Sequence, residues 1–297
     1  MRRLRVATRG STLARVQTAR VVHRLGLHPD EIDIIVVSTT GDRNLDVDLH
    51  TMGGVGVFVK EVEDAVLDGR ADLAVHSAKD LPARTAPGLV LGALPERGDP
   101  RDALVGSTLE ALPTGACVAT GSVRRRAQLA ALRPDLRFAP LRGNIETRLR
   151  KATGFDGAVV AAAALDRLDL GAHAAEILEP EILLPQVGQG ALAVECRFDD
   201  DELIERLAEI DDVATRVAVT AERAFLAELG GGCELPVGAL AHVTDGDVVL
   251  DALLASHDGR VVLRTSERGD DAALVGVAAA RALLDGAGGR MLLEPAS

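Results

Sequence analysis

Apolar residues recur along this chain with two alternating periods. Residues 4–9 (LRVATR) form a short β-like run, and after Ser11, a natural N-cap, residues 12–25 carry apolar side chains at helical spacing until Gly26 stops them. Residues 32–38 predict a second strand. The glycine-rich stretch 52–63 (MGGVGVFVKEVE) predicts a mobile loop running into a helix through Phe58, Val62 and Val66. Residues 71–77 predict a buried strand that delivers Lys79 and Asp80 at its carboxyl end, the side of an open α/β sheet where ligands sit.

The pattern then pauses and restarts. PERGDPRDALV (95–105) is dense in Pro, Gly and charge and predicts a crossover between domains. Beyond it, strands are expected at 117–120, 137–141 and 157–163, with helices at 122–132 and 145–151, the second capped by Asn144. LPQVGQGALAVECR (184–197) predicts a second crossover that returns the chain to the first lobe. A helix at 214–229 ends at three glycines and Cys233. From Val237 onward the period is two, with Asp245-Gly246 and Asp258-Gly259 as hairpin turns and a closing helix at 272–284. Two similar α/β lobes follow, with a small α+β C-terminal domain built on an antiparallel sheet.

Length and charge sharpen this picture. At 297 residues the chain exceeds one ordinary core, so two or three domains with a cleft are expected. From Thr120 to Lys151 nine cations stand against two acids, a net +7, while the whole chain carries −12 and the remainder therefore −19. Such a cluster in an anionic protein focuses one negatively charged ligand. Nucleic acid is disfavoured: with five Phe and no Tyr or Trp stacking rings are scarce, and the acidic background repels a polyanion. No apolar run is long enough to span a bilayer, and Met1-Arg2-Arg3 leads straight into LRVATR with no apolar signal core, which predicts a cytoplasmic protein. Lysine occurs only at 60, 79 and 151 while acids abound; this composition predicts adaptation to high salt, and full activity and stability in dilute buffer would exclude it.

GSVRRRAQL (121–129) sets Ser122 at a helix start with Arg124, Arg125 and Arg126 in its first turn, so that N–H groups, dipole and guanidinium forks address one carboxylate or phosphate. LRGNIETRLRK (141–151) repeats the design with Arg142 and Arg148, and VATRGSTLA (6–14) gives the first lobe a matching corner through Arg9 and Ser11. Taken alone, each cluster also reads as a solvated cationic face. Asp80 reads equally as a functional acid or as the partner of Lys79 or an arginine. Three dispersed cysteines form neither a disulfide framework nor a metal knuckle. Cys233, in GGGCELPVG, is reachable on a loop, whereas Cys117 and Cys196 sit in apolar runs and read as structural. His76 reads as a satisfied core histidine. No strand is followed by a P-loop or a dinucleotide fingerprint.

In order along the chain, VATRGSTLA, GVGVFVKEVE, AVHSAKDLP, PERGDPRDALV, GSVRRRAQL, LRGNIETRL, LPQVGQGALAVECR and GGGCELPVG resemble the porphobilinogen deaminase family over essentially the whole length. The resemblance implies two lobes like those of type II periplasmic binding proteins: residues 1–96 with 190–210 as the catalytic lobe, and 97–189 as the arginine-rich lobe. A third domain, 211–297, carries the cysteine. It implies a transferase that joins four porphobilinogen molecules head to tail with loss of ammonia, and then releases hydroxymethylbilane by hydrolysis. The resemblance further implies a primer, a dipyrromethane held on Cys233 through a thioether.

The substrate's acetate and propionate groups call for guanidinium forks. The resemblance assigns Lys79, Arg9, Ser11, Ser122, Arg124, Arg125, Arg142 and Arg148 to the cofactor, and Arg9, Arg142, Arg148 and Arg167 to the substrate. Arg126, Arg133, Arg137, Arg150 and Lys151 are expected in solvent. Asp80 is expected to stabilise the cationic azafulvene left by deamination and to shuttle protons. No metal, membrane or nucleic acid is implied; a monomer is, with the product passed to uroporphyrinogen-III synthase. One departure is Val55, where the family commonly has lysine. Three rival readings are a carrier of small dicarboxylates, a Schiff-base enzyme using Lys79, and a nucleic-acid binder.

Overall fold

In the computed structural model, which describes residues 3–39, 59–230 and 235–293, β1 (Leu4–Arg9) lies parallel between β2 (Ile32–Val37) and β3 (Leu73–Ser77). Val6, Ala7 and Thr8 of β1 and Leu73 to His76 of β3 are all buried, as strands covered on both faces require. Next to β3, β10 (Leu192–Arg197) runs antiparallel, pairing also with β4 (Leu89–Ala93), so the sheet order is β2-β1-β3-β10-β4.

Alternate residues of these strands face different helices. Leu73, Val75, Val194 and Cys196 pack with Val21 and Val22 of α1 (Thr12–Arg24) and with Leu203 and Leu207 of the helix Asp201–Ala208. Ala7 and Ala74 meet Val62, Ala65 and Val66 of α2 (Lys60–Leu67). This compact unit comprises Met1–Gly98 and Ala191–Arg216.

The second unit, Asp99–Gly190 with Val217–Ser297, contains a sheet of the same plan. Its order is β7-β6-β8-β5-β9, formed by β5 (Asp102–Val105), β6 (Cys117–Ala119), β7 (Arg137–Ala139), β8 (Gly157–Ala161) and β9 (Ala174–Leu178). Here β6 is parallel to β7 and β8, while β5 runs antiparallel between β8 and β9, the position that β10 holds in the first unit. Its helices are α3 (Val123–Leu132), α4 (Ile145–Ala152) and α5 (Ala162–Arg167).

The same unit carries an antiparallel sheet of β11 (Val237–Thr244), β12 (Asp247–Ala255) and β13 (Val262–Gly269). Its buried face holds Ala239, Leu250, Ala252 and Leu254 against Phe225 and Val275. Phe225 belongs to the helix Val213–Leu229 and Val275 to Ala272–Arg281; in chain order α6 is Asp201–Ala208, α7 Val213–Leu229 and α8 Ala272–Arg281. The expected layers are therefore present: two mixed α/β sheets of one strand plan and a small antiparallel C-terminal sheet.

Several expectations need correction. Strand 157–163 stops at Ala161, because the alanine run that follows has high helix propensity and turns into α5 without a turn residue. Both segments read as crossovers do hold the unit boundaries, after Gly98 and after Gly190, and each also contains a buried strand, β5 and β10. Asp245 and Gly246 form the tight hairpin with φ of 55° and 87°, as a type I′ turn requires. Asp258-Gly259 lies in the β12–β13 hairpin as expected, within a longer connection closed by Ser256 N–H donating to Val261 O (2.8 Å). Gly259 is needed there because a Cβ would come within 2.3 Å of the Ala127 carbonyl oxygen of α3. The glycine-rich stretch 52–58 with Val55, and Cys233, lie outside the described residues. Among the described residues no helix is long and apolar enough to cross a membrane.

Candidate active site

Strand β1 ends in Arg9, and two residues later Ser11 caps α1, its Oγ accepting from Ala14 N–H (3.2 Å). Beside it, β3 runs into a single 3₁₀ turn, Ala78–Asp80, pinned by Ala78 N–H donating to Ala191 O (3.0 Å) and by Leu81 N–H donating to Ala78 O. This turn places Lys79 and half-buried Asp80 at the carboxyl end of the sheet. Arg9, Ser11, Gln17, His76, Ser77 and Asp80 line one cavity of about 50 Å³.

Gln17, a buried member of α1, donates through Nε2 to Ser77 Oγ (2.8 Å). It was not singled out from the sequence. The signal was present, since a glutamine at the core-facing spacing of Ala14, Gln17 and Val21 puts an amide where an aliphatic residue is expected.

The corresponding corner of the second unit is built alike. Ser122 caps α3 by accepting from Arg125 N–H (3.4 Å), and Asn144 caps α4 by accepting from Thr147 N–H (2.9 Å). Gly121 has no room for a Cβ, which would meet Leu141 O at 2.7 Å, so this corner is closely packed. Arg142 precedes α4 and Arg148 lies on it, its Nε donating to Gly143 O (2.7 Å). Arg167, at the end of α5, is buried and donates to Gly190 O (2.5 Å).

Arg124 and Arg125 depart from the expectation that they face a ligand. They are 3% and 5% exposed and converge on Asp102, the fully buried first residue of β5. Arg124 reaches Asp102 Oδ2 (2.8 Å) and Leu184 O (2.7 Å); Arg125 reaches Oδ1 (2.6 Å) and Val159 O (2.9 Å). Gln189 adds an amide N–H to Oδ1 at 2.9 Å. Burial alone would raise the Asp102 carboxyl, but the two guanidiniums outweigh it and hold it down to about 2. Burial lowers the basicity of Arg124, which as an arginine stays charged. The cause of the departure is chemical: a guanidinium in the first turn of a buried helix needs a counter-charge, and Asp102 supplies it.

Of the cations expected in solvent, Arg126, Arg137, Arg150 and Lys151 are exposed, whereas Arg133 is half-buried and also donates to Leu109 O (3.1 Å). Arg133 pairs with Asp135 (2.8 Å), Arg126 donates to His257 O (3.1 Å) and Arg137 to Gly115 O (2.9 Å). Cys196 is buried, and burial followed by the charge of Asp200 pushes its thiol up to about 11, which removes it as a nucleophile. Cys117 is half-buried at the start of β6.

Each of the two sheets thus ends in a capped helix with arginines beside it, and the first also carries a carboxylate, which is chemistry suited to binding carboxylate groups. Sequence comparison gives that chemistry a family. The family description "Porphobilinogen deaminase, dipyromethane cofactor binding domain" matches residues 4–205, and "Porphobilinogen deaminase, C-terminal domain" matches 216–285. Porphobilinogen deaminase of Roseiflexus sp. is 50% identical, over 97% of each chain. That of Brevibacillus brevis is 46% identical over 99% of this chain and 98% of its own, and that of Acidothermus cellulolyticus 48% over 98% and 92%. The chain belongs to the porphobilinogen deaminase family. Its reaction is the head-to-tail joining of four porphobilinogen molecules with release of ammonia on a covalent dipyrromethane primer, followed by hydrolysis to hydroxymethylbilane, a step of tetrapyrrole biosynthesis.

Proposed function

We propose that Asp80 is the acid–base group of this reaction. The observation that carries the reading is its position: a half-buried carboxylate on the turn after β3, in one cavity with Arg9, Ser11 and Gln17. A carboxylate there holds a proton for the leaving amine, stabilises the positive charge that its departure creates, and accepts the proton lost from the attacked ring carbon. Arg9 and Ser11 orient a substrate carboxylate beside it.

The residues fit a cofactor rich in carboxylates. Lys79, Arg9 and Ser11 in the first unit, and Ser122, Arg142 and Arg148 in the second, supply cationic and hydroxyl donors at strand ends. Cys233 is the attachment point. When bound, dipyrromethane supplies the pyrrole carbon from which the chain is extended. Arg124 and Arg125, whose forks are held by Asp102, act on the cofactor through their field and by keeping the Ser122 corner rigid. Arg142, Arg148 and Arg167 serve the carboxylates of added substrate units. The antiparallel sheet forms a third domain, 211–297. The protein works as a cytoplasmic monomer and passes its linear product to uroporphyrinogen-III synthase.

Intact mass under denaturing conditions tests this reading. The purified chain is expected to carry a surplus equal to two pyrrole units, and Cys233→Ala to lack it. An unmodified wild-type chain with full activity would overturn the proposal.

A further inference from the structure

On the face of the first sheet covered by α2, His76 of β3 and Glu195 of β10 meet diagonally, Nε2 to Oε2 at 3.2 Å, with side chains 4% and 1% exposed. Ala193 stands opposite His76 and Ala74 opposite Glu195, so both side chains share this face. The approach lies outside hydrogen-bond geometry, and among the described residues neither Glu195 oxygen nor His76 Nε2 has a hydrogen-bond partner. Glu63 of α2, the helix on this face, is buried as well. Arg197, two residues along β10, is held by Val66 O (3.1 Å), Ala71 O (3.2 Å) and Asp200 (3.1 Å). A carboxylate with no donor is costly to bury, and the imidazole of His76 is the polar group that faces it.

The location gives this pair a use. β10 keeps an unbroken register with β3 from Leu192 to Cys196, but its register with β4 shifts between Val194 and Glu195, a bulge next to the site. His76 is four residues before Asp80 and lines the same cavity. The ladder thus loosens on one side of β10 where the side-chain contact fastens the other.

We propose that His76 and Glu195 are a positioning pair that straps β3 to β10 and fixes the height at which the turn bearing Asp80 leaves the sheet. The pair does no chemistry itself. The proposal rests on the reading of Asp80 as the acid–base group.

The test uses wild-type holoenzyme and three variants. Proton NMR of the wild type should show one imidazole N–H protected from exchange and lost in His76→Gln. Glu195→Gln should lower Tm, and Glu195→Gln with His76→Gln should recover most of that loss by removing both charges. Turnover in the double variant should nevertheless stay about 10- to 100-fold below wild type with KM unchanged, as expected for a misplaced carboxylate. Should the double variant not fold, Glu195→Asp, which keeps the charge but withdraws it, is expected to lower kcat at near wild-type Tm. Absence of the protected N–H, or wild-type kcat in the double variant or in Glu195→Asp, would overturn the proposal. Asp80→Asn measured in parallel separates the two ideas: its retained turnover would defeat the reading of Asp80, while the N–H signal and the Tm cycle would still report on the pair.

Discussion

Asp80→Asn is expected to melt at the wild-type temperature and to turn over porphobilinogen about 10²- to 10⁴-fold more slowly, with the loss in kcat rather than KM. Asparagine is isosteric and leaves the backbone bonds of the Ala78–Asp80 turn in place, namely Ala78 to Ala191 O and Leu81 to Ala78 O, so folding has no reason to suffer. What disappears is the negative charge, which matters most when the leaving amine creates a cation, and the capacity to exchange a proton. Steady-state kinetics with the dipyrromethane content of each preparation checked by mass would decide. A kcat within a factor of about two of wild type would remove Asp80 from the mechanism.

The largest effect on stability is expected at a residue remote from the chemistry. Asp102→Asn should cost about 3–5 kcal/mol in urea unfolding, because Arg124 and Arg125 would be left buried at 3% and 5% exposure without their counter-charge. The wild-type pH dependence follows the same group. Its folded pKa is depressed to about 2, so its stabilisation is present in full above the ordinary aspartate value of about 4 and is lost as pH falls toward 2. Asp102→Asn should flatten stability across that acid window. A loss below about 1 kcal/mol, the level of a surface pair, would mean the triad is not the anchor it is taken to be.

Much of this architecture was legible because its signals are local. Ser11, Ser122 and Asn144 each accept from the backbone three residues on, and a cap preceding an apolar helical period announces itself within one turn. The lobe duplication was visible for the same reason. What escaped notice depends on partners far along the chain. DALV of β5 is four residues long, too short to display a period, and its buried aspartate resembles a loop residue until Arg124 and Arg125 are brought to it. His76 read as a core histidine, but its acidic partner, Glu195, arrives from more than a hundred positions away. β4 and β9 were passed over because LVLGA and AAEIL show no clear alternation, although Pro87-Gly88 precede the one and Pro180 follows the other.

The strand inserted antiparallel into each sheet also sets an order of events during synthesis. The second unit's mixed sheet is encoded without interruption between Asp99 and Gly190, so it can close as soon as that stretch has left the ribosome. The first unit cannot: β3 and β4 leave unpaired edges until β10 emerges, although they were made some hundred residues earlier. The lobe translated first is therefore completed last, and a chain broken off before Leu192 exposes two adjacent strand edges open to pairing with other chains.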